Sequence, residues 1–135
     1  MFRIGPGGHR AFSTRTPELL NTGSCRRAPP FRVAFLITLL VARTEGTIVG
    51  TLTLAMFPIP TGFRAWIEDV VVDEAARGKG VGEALTNEAI GLARAAGART
   101  VDLTSRPSRA AAGRLYERAG FEERDTRVYR YRMPA

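Results

Sequence analysis

The sequence predicts an α/β domain built on a mixed sheet, and three observations carry that expectation. Two stretches rich in β-branched residues, 36–43 and 47–57, flank Glu45-Gly46, the pattern of two antiparallel strands joined by a turn. Between residues 65 and 104 a strand, a glycine-bearing turn, an amphipathic helix and another strand follow one another, which implies a right-handed parallel crossover. The chain has 135 residues, enough for a single domain with its own core.

The elements follow in order. Residues 1–31 contain Gly5-Pro6-Gly7-Gly8, Pro17, Gly23 and Pro29-Pro30, with scattered arginines and no sustained period. An irregular or disordered segment is expected there, with only 17–21 able to form a helical turn, and the folded domain is placed at 32–135. The longest apolar run, 33–42, lies between Arg32 and Arg43. It is too short to cross a bilayer as a helix, which takes about 20 residues. It also lies too far from the N-terminus for a signal peptide, so it reads as a buried strand. After the two antiparallel strands, 58–62 is a loop and 65–73 a third strand. Residues 80–96 form a helix whose Val81, Ala84, Leu85, Ala89, Leu92, Ala93 and Ala96 recur at intervals of three and four, with Gly97 just past its end. Residues 100–104 are a strand. Ser108 is expected to cap a helix that runs through Arg118, whose apolar face is Ala111, Ala112, Leu115 and Ala119, with Gly120 ending it. Residues 121–124 and 127–133 are the expected closing strands.

The formal net charge is +7, but it is uneven. Residues 1–45 hold seven Arg and two Glu, whereas 46–135 hold thirteen basic and eleven acidic side chains. The folded part is therefore near balance, which argues against a basic nucleic-acid-binding protein. Tyr129-Arg130-Tyr131-Arg132 is the one place where aromatics and arginines interleave, and it alternates as a closing strand would. A single cysteine, Cys25, excludes an internal disulfide and fits a reducing, cytoplasmic setting. His9 is the only histidine, so no Ser-His-Asp arrangement has a well-placed base, and no His/Cys/Asp cluster has metal spacing.

The chemistry concentrates in residues 70–85. Val70, Val71 and Val72 end a strand, Asp73-Glu74 makes a turn, and Gly78, Gly80 and Gly82 alternate with Lys79 and Val81 before a helix. Such a turn aims several backbone N–H groups one way at a helix N-terminus, a nest for an anion and for phosphate above all. Arg77 and Lys79 add positive charge. A Walker loop requires Gly-Lys-Ser/Thr, and Lys79 is followed by Gly80; a dinucleotide fingerprint requires Gly-x-Gly-x-x-Gly, and counting from Gly78 reaches Glu83.

The spacing that is present, Arg77-x-x-Gly80-x-Gly82, resembles the signature of the GCN5-related N-acetyltransferases (the GNAT family). The stretch Ser108-Arg-Ala-Ala-Ala-Gly-Arg-Leu-Tyr-Glu-Arg-Ala-Gly-Phe121 resembles that family's closing helix, and the likeness spans about residues 36–135. The resemblance implies a twisted mixed sheet with helices on both faces. The N-terminal strand-helix-helix portion would be reduced or atypical. It implies acetyl-CoA as cosubstrate and no metal. The pyrophosphate would lie on the backbone of Gly78, Lys79, Gly80, Val81 and Gly82, helped by Arg77 and Lys79. The strand before the loop would bulge, and the main chain of Val70, Val71 and Val72 would pair with the pantetheine arm. Glu68 would be the general base, or else a solvent-facing strand residue, or simply the partner of an arginine. Asp69 would face the other way in a regular strand. Tyr116 would be the general acid, and Arg109 would touch the phosphate or adenosine end or stand in solvent. The implied partner is a small-molecule or peptide amine, with a homodimer left open and no membrane. The alternatives are an acyl-CoA-binding domain impaired in catalysis and, behind it, a basic nucleic-acid binder.

Overall fold

A computed structural model of the chain describes residues 2–3 and 36–135. Five strands, β1 (Phe2–Arg3), β2 (Leu36–Thr44), β3 (Thr47–Ile59), β4 (Gly62–Val72) and β5 (Thr100–Leu103), form one sheet in the order β1-β2-β3-β4-β5. The pairs β2/β3 and β3/β4 are antiparallel, and β1/β2 and β4/β5 are parallel, so the sheet is mixed as expected. The helices are α1 (Val81–Ala95) and α2 (Ala110–Arg118). The chain is thus α/β, a mixed sheet flanked by helices. The irregular segment expected at 1–31, with His9 and Cys25, lies outside the described residues apart from β1. No helix among the described residues is long and apolar enough to cross a membrane.

Alternation places the core on one face of the sheet. Leu40 and Ala42 of β2, Leu52, Leu54 and Met56 of β3, and Ala65 and Ile67 of β4 are buried, and α1 covers them with Val81, Leu85, Ala89 and Ala93. Gly50 makes this close approach possible, since a Cβ there would lie 2.9 Å from Val81 Cγ1. Ile67 is 2% exposed. Ile67→Val is expected to destabilise the fold by about 0.5–1.5 kcal/mol in urea unfolding, the usual effect of deleting one buried methylene. An unchanged midpoint would show that β4 is not clamped under α1.

Both helices end alike. Past α1, Gly97 N–H donates to the Arg94 carbonyl at 3.0 Å and Ala98 N–H to Ala93 at 2.9 Å; past α2, Gly120 donates to Glu117 at 3.0 Å and Phe121 to Tyr116 at 2.9 Å. This is the Schellman motif, in which a left-handed residue lets two orphan carbonyls be satisfied and the residue beyond packs back on the helix. Gly120 has φ +92°, and Phe121 meets Tyr116 edge-on with ring centroids 5.9 Å apart. The Tyr-Glu-x-x-Gly-Phe ending is therefore a helix cap that also fixes the Tyr116 ring.

Three local expectations are corrected. The strand-to-strand connection is shorter than 58–62, because β3 continues to Ile59 and only Pro60 and Thr61 turn. Pro58 lies within β3, paired with Phe63 of β4. Ser108 does not cap α2. It lies inside a turn closed by Arg109 N–H on the Arg106 carbonyl at 2.9 Å, and Arg109 takes the N-cap position with no side-chain capping bond. Residues 121–124 and 127–133 form no strands. Val128, Tyr129, Tyr131 and Met133 are 71–85% exposed, and alternation without a neighbouring strand or a covering layer has no face to select.

Candidate functional site

The site begins where β4 and β5 part. Their parallel ladder runs from Arg64↔Thr100 to Ile67↔Leu103 and stops, while β4 continues to Val72. From Glu68 onward the strand has β3 alone beside it among the described residues, so one main-chain edge of this segment is open. The expected bulge is here. Glu68 pairs with Thr53 and Val71 with Thr51, so Leu52 faces two residues, Asp69 and Val70. Asp69 absorbs the extra residue with φ +51°, a left-handed conformation that Asp tolerates better than most side chains. Parity then changes. Ala65 and Ile67 face the core before the bulge; Val70 and Val72 pack against it afterwards. A regular strand would send Glu68 and Asp69 to opposite faces. The bulge leaves both exposed, with Val71 59% exposed beyond them.

Asp73 N–H donates to the Val49 carbonyl at 2.9 Å, and a single 3-10 turn, Glu74–Ala76, leads into the glycine loop. Gly78 and Gly80 have φ +73° and +77°, and nothing lies within 4 Å of where a Cβ would stand on either. The loop thus presents bare backbone to open space. The first backbone N–H to find a partner again is Ala84, on the Gly80 carbonyl at 2.9 Å. Among the described residues, the N–H groups of Gly78, Lys79, Gly80, Val81, Gly82 and Glu83 have no hydrogen-bond partner. The α1 dipole adds partial positive charge at the same end. Arg77 and Lys79 are exposed, and Arg77 is 4.0 Å from Glu74, a loose pair that leaves the guanidinium available. Gly82 serves packing instead, since a Cβ there would lie 2.9 Å from Leu115 Cδ1 and 3.7 Å from Val72 Cγ2. The loop, the end of β4 and α2 therefore converge at Gly82. Arg118 approaches Glu83 at 3.7 Å and ties α2 to the first turn of α1.

Tyr116 is half-buried on α2 with its ring against Phe121. Burial pushes its hydroxyl above the ordinary tyrosine value of 10.0, and the nearby Arg109 charge pulls it partly back. A proton donor must stay protonated at neutral pH, and this one does. The tyrosinate absorbance that distinguishes the parent from Tyr116→Phe is expected to appear above pH 10, and to move higher still in Arg109→Gln, which removes the charge favouring phenolate. Movement to lower pH in that variant would contradict the pairing.

Glu68 is held by a residue whose role the strand pattern alone does not announce. Trp66 Nε1–H donates to Glu68 Oε1 at 2.7 Å. The signal was available in the spacing, since residues two apart on a strand share a face. Leu115 as the neighbour of Gly82 had no comparable local signal. Glu68 makes this bond and no hydrogen bond to the loop or to α2 among the described residues. No group of metal-ligating side chains occurs among the described residues. A concavity of about 410 Å³ is lined by Glu123, Arg124, Asp125 and Thr126 and includes none of the residues above.

Comparison with known proteins places these features in context. The model of the acetyltransferase (GNAT) family matches residues 11–121. Among solved structures the chain is similar to a candidate acetyltransferase from Agrobacterium tumefaciens, 34% identical with a TM-score of 0.66, over 72% of this chain and 69% of that one. A transcriptional regulator from Bacillus halodurans is 35% identical with a TM-score of 0.64, over 69% and 64% respectively. An acetyltransferase from Trypanosoma brucei is 32% identical with a TM-score of 0.63, over 72% and 69%. No curated protein matches.

Proposed function

The chain belongs to the acetyltransferase (GNAT) family, and from that premise we propose that it transfers an acetyl group from acetyl-CoA to a primary amine. The observation that supports this most is the run of unpartnered N–H groups from Gly78 to Glu83, directly beyond the open edge of β4. A pyrophosphate has the charge and the acceptor oxygens to satisfy such a run, and Arg77 and Lys79 reinforce it. The open main chain of Val70, Val71 and Val72 suits the amides of a pantetheine arm, because an exposed strand edge pairs with any extended chain that offers complementary groups. Arg109, exposed at the start of α2, is assigned to the phosphate or adenosine end.

Acetyl-CoA supplies an acetyl thioester. The chain's own groups do the rest. Glu68 takes a proton from the acceptor ammonium, directly or through water, so that the amine nitrogen has a lone pair with which to attack the carbonyl carbon. A backbone N–H of the bulged segment stabilises the charge that develops on the carbonyl oxygen. As the C–N bond forms and the C–S bond breaks, the nitrogen gives up its second proton to water and Tyr116 donates its hydroxyl proton to the departing sulfur. Acetamide and free thiol are the products, and Glu68 and Tyr116 regain their starting states by exchange with solvent.

The test is thiol release from acetyl-CoA across a panel of amines: polyamines, amino sugars and peptides with a free N-terminus or lysine. Amine-dependent release supports the reading. Stabilisation by acetyl-CoA without release for any amine favours a binding domain that no longer acetylates.

A further inference from the structure

We propose that Trp66 is a positioning residue for Glu68, holding one carboxylate oxygen so that the other faces the acceptor amine; this rests on the acetyl-transfer reading above. Arg64, Trp66 and Glu68 alternate with buried Ala65 and Ile67, so they share the face of β4 opposite the core, and the bulge comes only after Glu68. Trp66 is flanked by Ala55 of β3 and Asp102 of β5, while Glu68 has Thr53 on one side and lies past the last β4/β5 pair on the other. Trp66 is thus the last residue of this face held between two strands, and Glu68 the first at the opening.

The indole N–H has two carboxylates near it in the register, and the surroundings select between them. Asp102 already accepts from Thr100 Oγ1 at 3.0 Å and lies 3.5 Å from Arg124, while Thr100 Oγ1 itself accepts from Arg64 at 2.8 Å. Those contacts occupy Asp102. Glu68 has no cationic partner among the described residues, and Trp66 Nε1–H is the donor on it, at 2.7 Å from Oε1. An indole N–H donates and never accepts, so it restrains a carboxylate without competing for the substrate's proton. Oε2 has no partner among the described residues and is left to take that proton. The stiff ring, carried by a residue paired with a strand on each side, removes rotamer freedom that an exposed glutamate would otherwise have to lose in each turnover.

The chain has one tryptophan, so its indole N–H gives a single resonance that needs no assignment. In a 1H–15N spectrum that resonance is expected to move upfield in Glu68→Ala and to stay in place in Asp102→Asn. An unmoved resonance in Glu68→Ala overturns the contact. In turnover, Trp66→Phe keeps a ring and loses the donor, and is expected to lower kcat about tenfold, the effect of one bond to a charged group in a partly exposed setting. The KM for acetyl-CoA should not change. In a Glu68→Ala background the same substitution should change kcat by less than about twofold, since two residues acting through one another are not additive. Equal losses in both backgrounds overturn the positioning role and leave Glu68 as base. Full activity in Glu68→Ala overturns the base itself, and with it the acetyl-transfer mechanism on which the proposal rests.

Discussion

Gly80→Asp is expected to abolish the stabilisation of the protein by coenzyme A while leaving it folded. Gly80 has φ +77° and ψ 4°, and no atom lies within 4 Å of where its Cβ would stand, so a side chain meets no steric obstacle. The left-handed backbone costs an L-residue roughly 1–2 kcal/mol, and Asp is among the side chains that accept it most readily. That leaves a typical domain stability of about 5–15 kcal/mol largely intact. Binding fares differently. The new carboxylate stands among the N–H groups from Gly78 to Glu83 and adds a negative charge where a pyrophosphate would lie. Gly80→Ala separates the two effects, since it strains the backbone equally and carries no charge; it should keep part of the Tm shift. A full shift in Gly80→Asp would remove the loop from the binding site.

Glu68→Gln is expected to lower kcat by about 10²–10⁴-fold, the range for loss of a general base. Binding of coenzyme A should be unchanged, because Glu68 contacts Trp66 and not the loop. The acidic limb of the rate profile should disappear as well, because glutamine has no proton to lose. Asp69 is the necessary comparison, since the bulge leaves it exposed beside Glu68. Asn accepts the left-handed conformation as Asp does, so Asp69→Asn keeps the bulge and should keep activity. Loss of turnover in Asp69→Asn with an active Glu68→Gln would exchange the two roles.

How much of this was legible in the sequence depended on how local each cause is. The glycine loop was legible because Gly78 and Gly80 answer a backbone requirement that no other residue meets as cheaply. The strands β2, β3 and β4 and the helix α1 were legible because alternation and three-four spacing repeat over many residues. The Asp69 bulge was expected only by resemblance. No residue near it demands a left-handed turn, and the extra residue is defined by the mismatch between β3 and β4. Ser108 is a good capping residue placed one position early, because Pro107 sits with it in the turn that Arg109 closes. The closing strands failed for a different reason. Tyr129, Tyr131 and Met133 alternate with Arg130 and Arg132, yet a strand also needs a ladder, and that depends on a neighbour the pattern does not contain. The Trp66–Glu68 bond lay between the two cases, visible in the spacing and decided by Asp102 being engaged elsewhere.

We propose that backbone N–H groups of the glycine loop bind the pyrophosphate of the acetyl donor. Calorimetric titration of the whole chain with acetyl-CoA, coenzyme A and acetyl-pantetheine tests it most directly, because the last carries the reacting thioester and lacks the pyrophosphate. The two coenzyme A forms are expected to bind with similar affinity and acetyl-pantetheine to give no measurable heat of binding. Acetyl-pantetheine binding as tightly as acetyl-CoA would show that the loop does not hold the pyrophosphate.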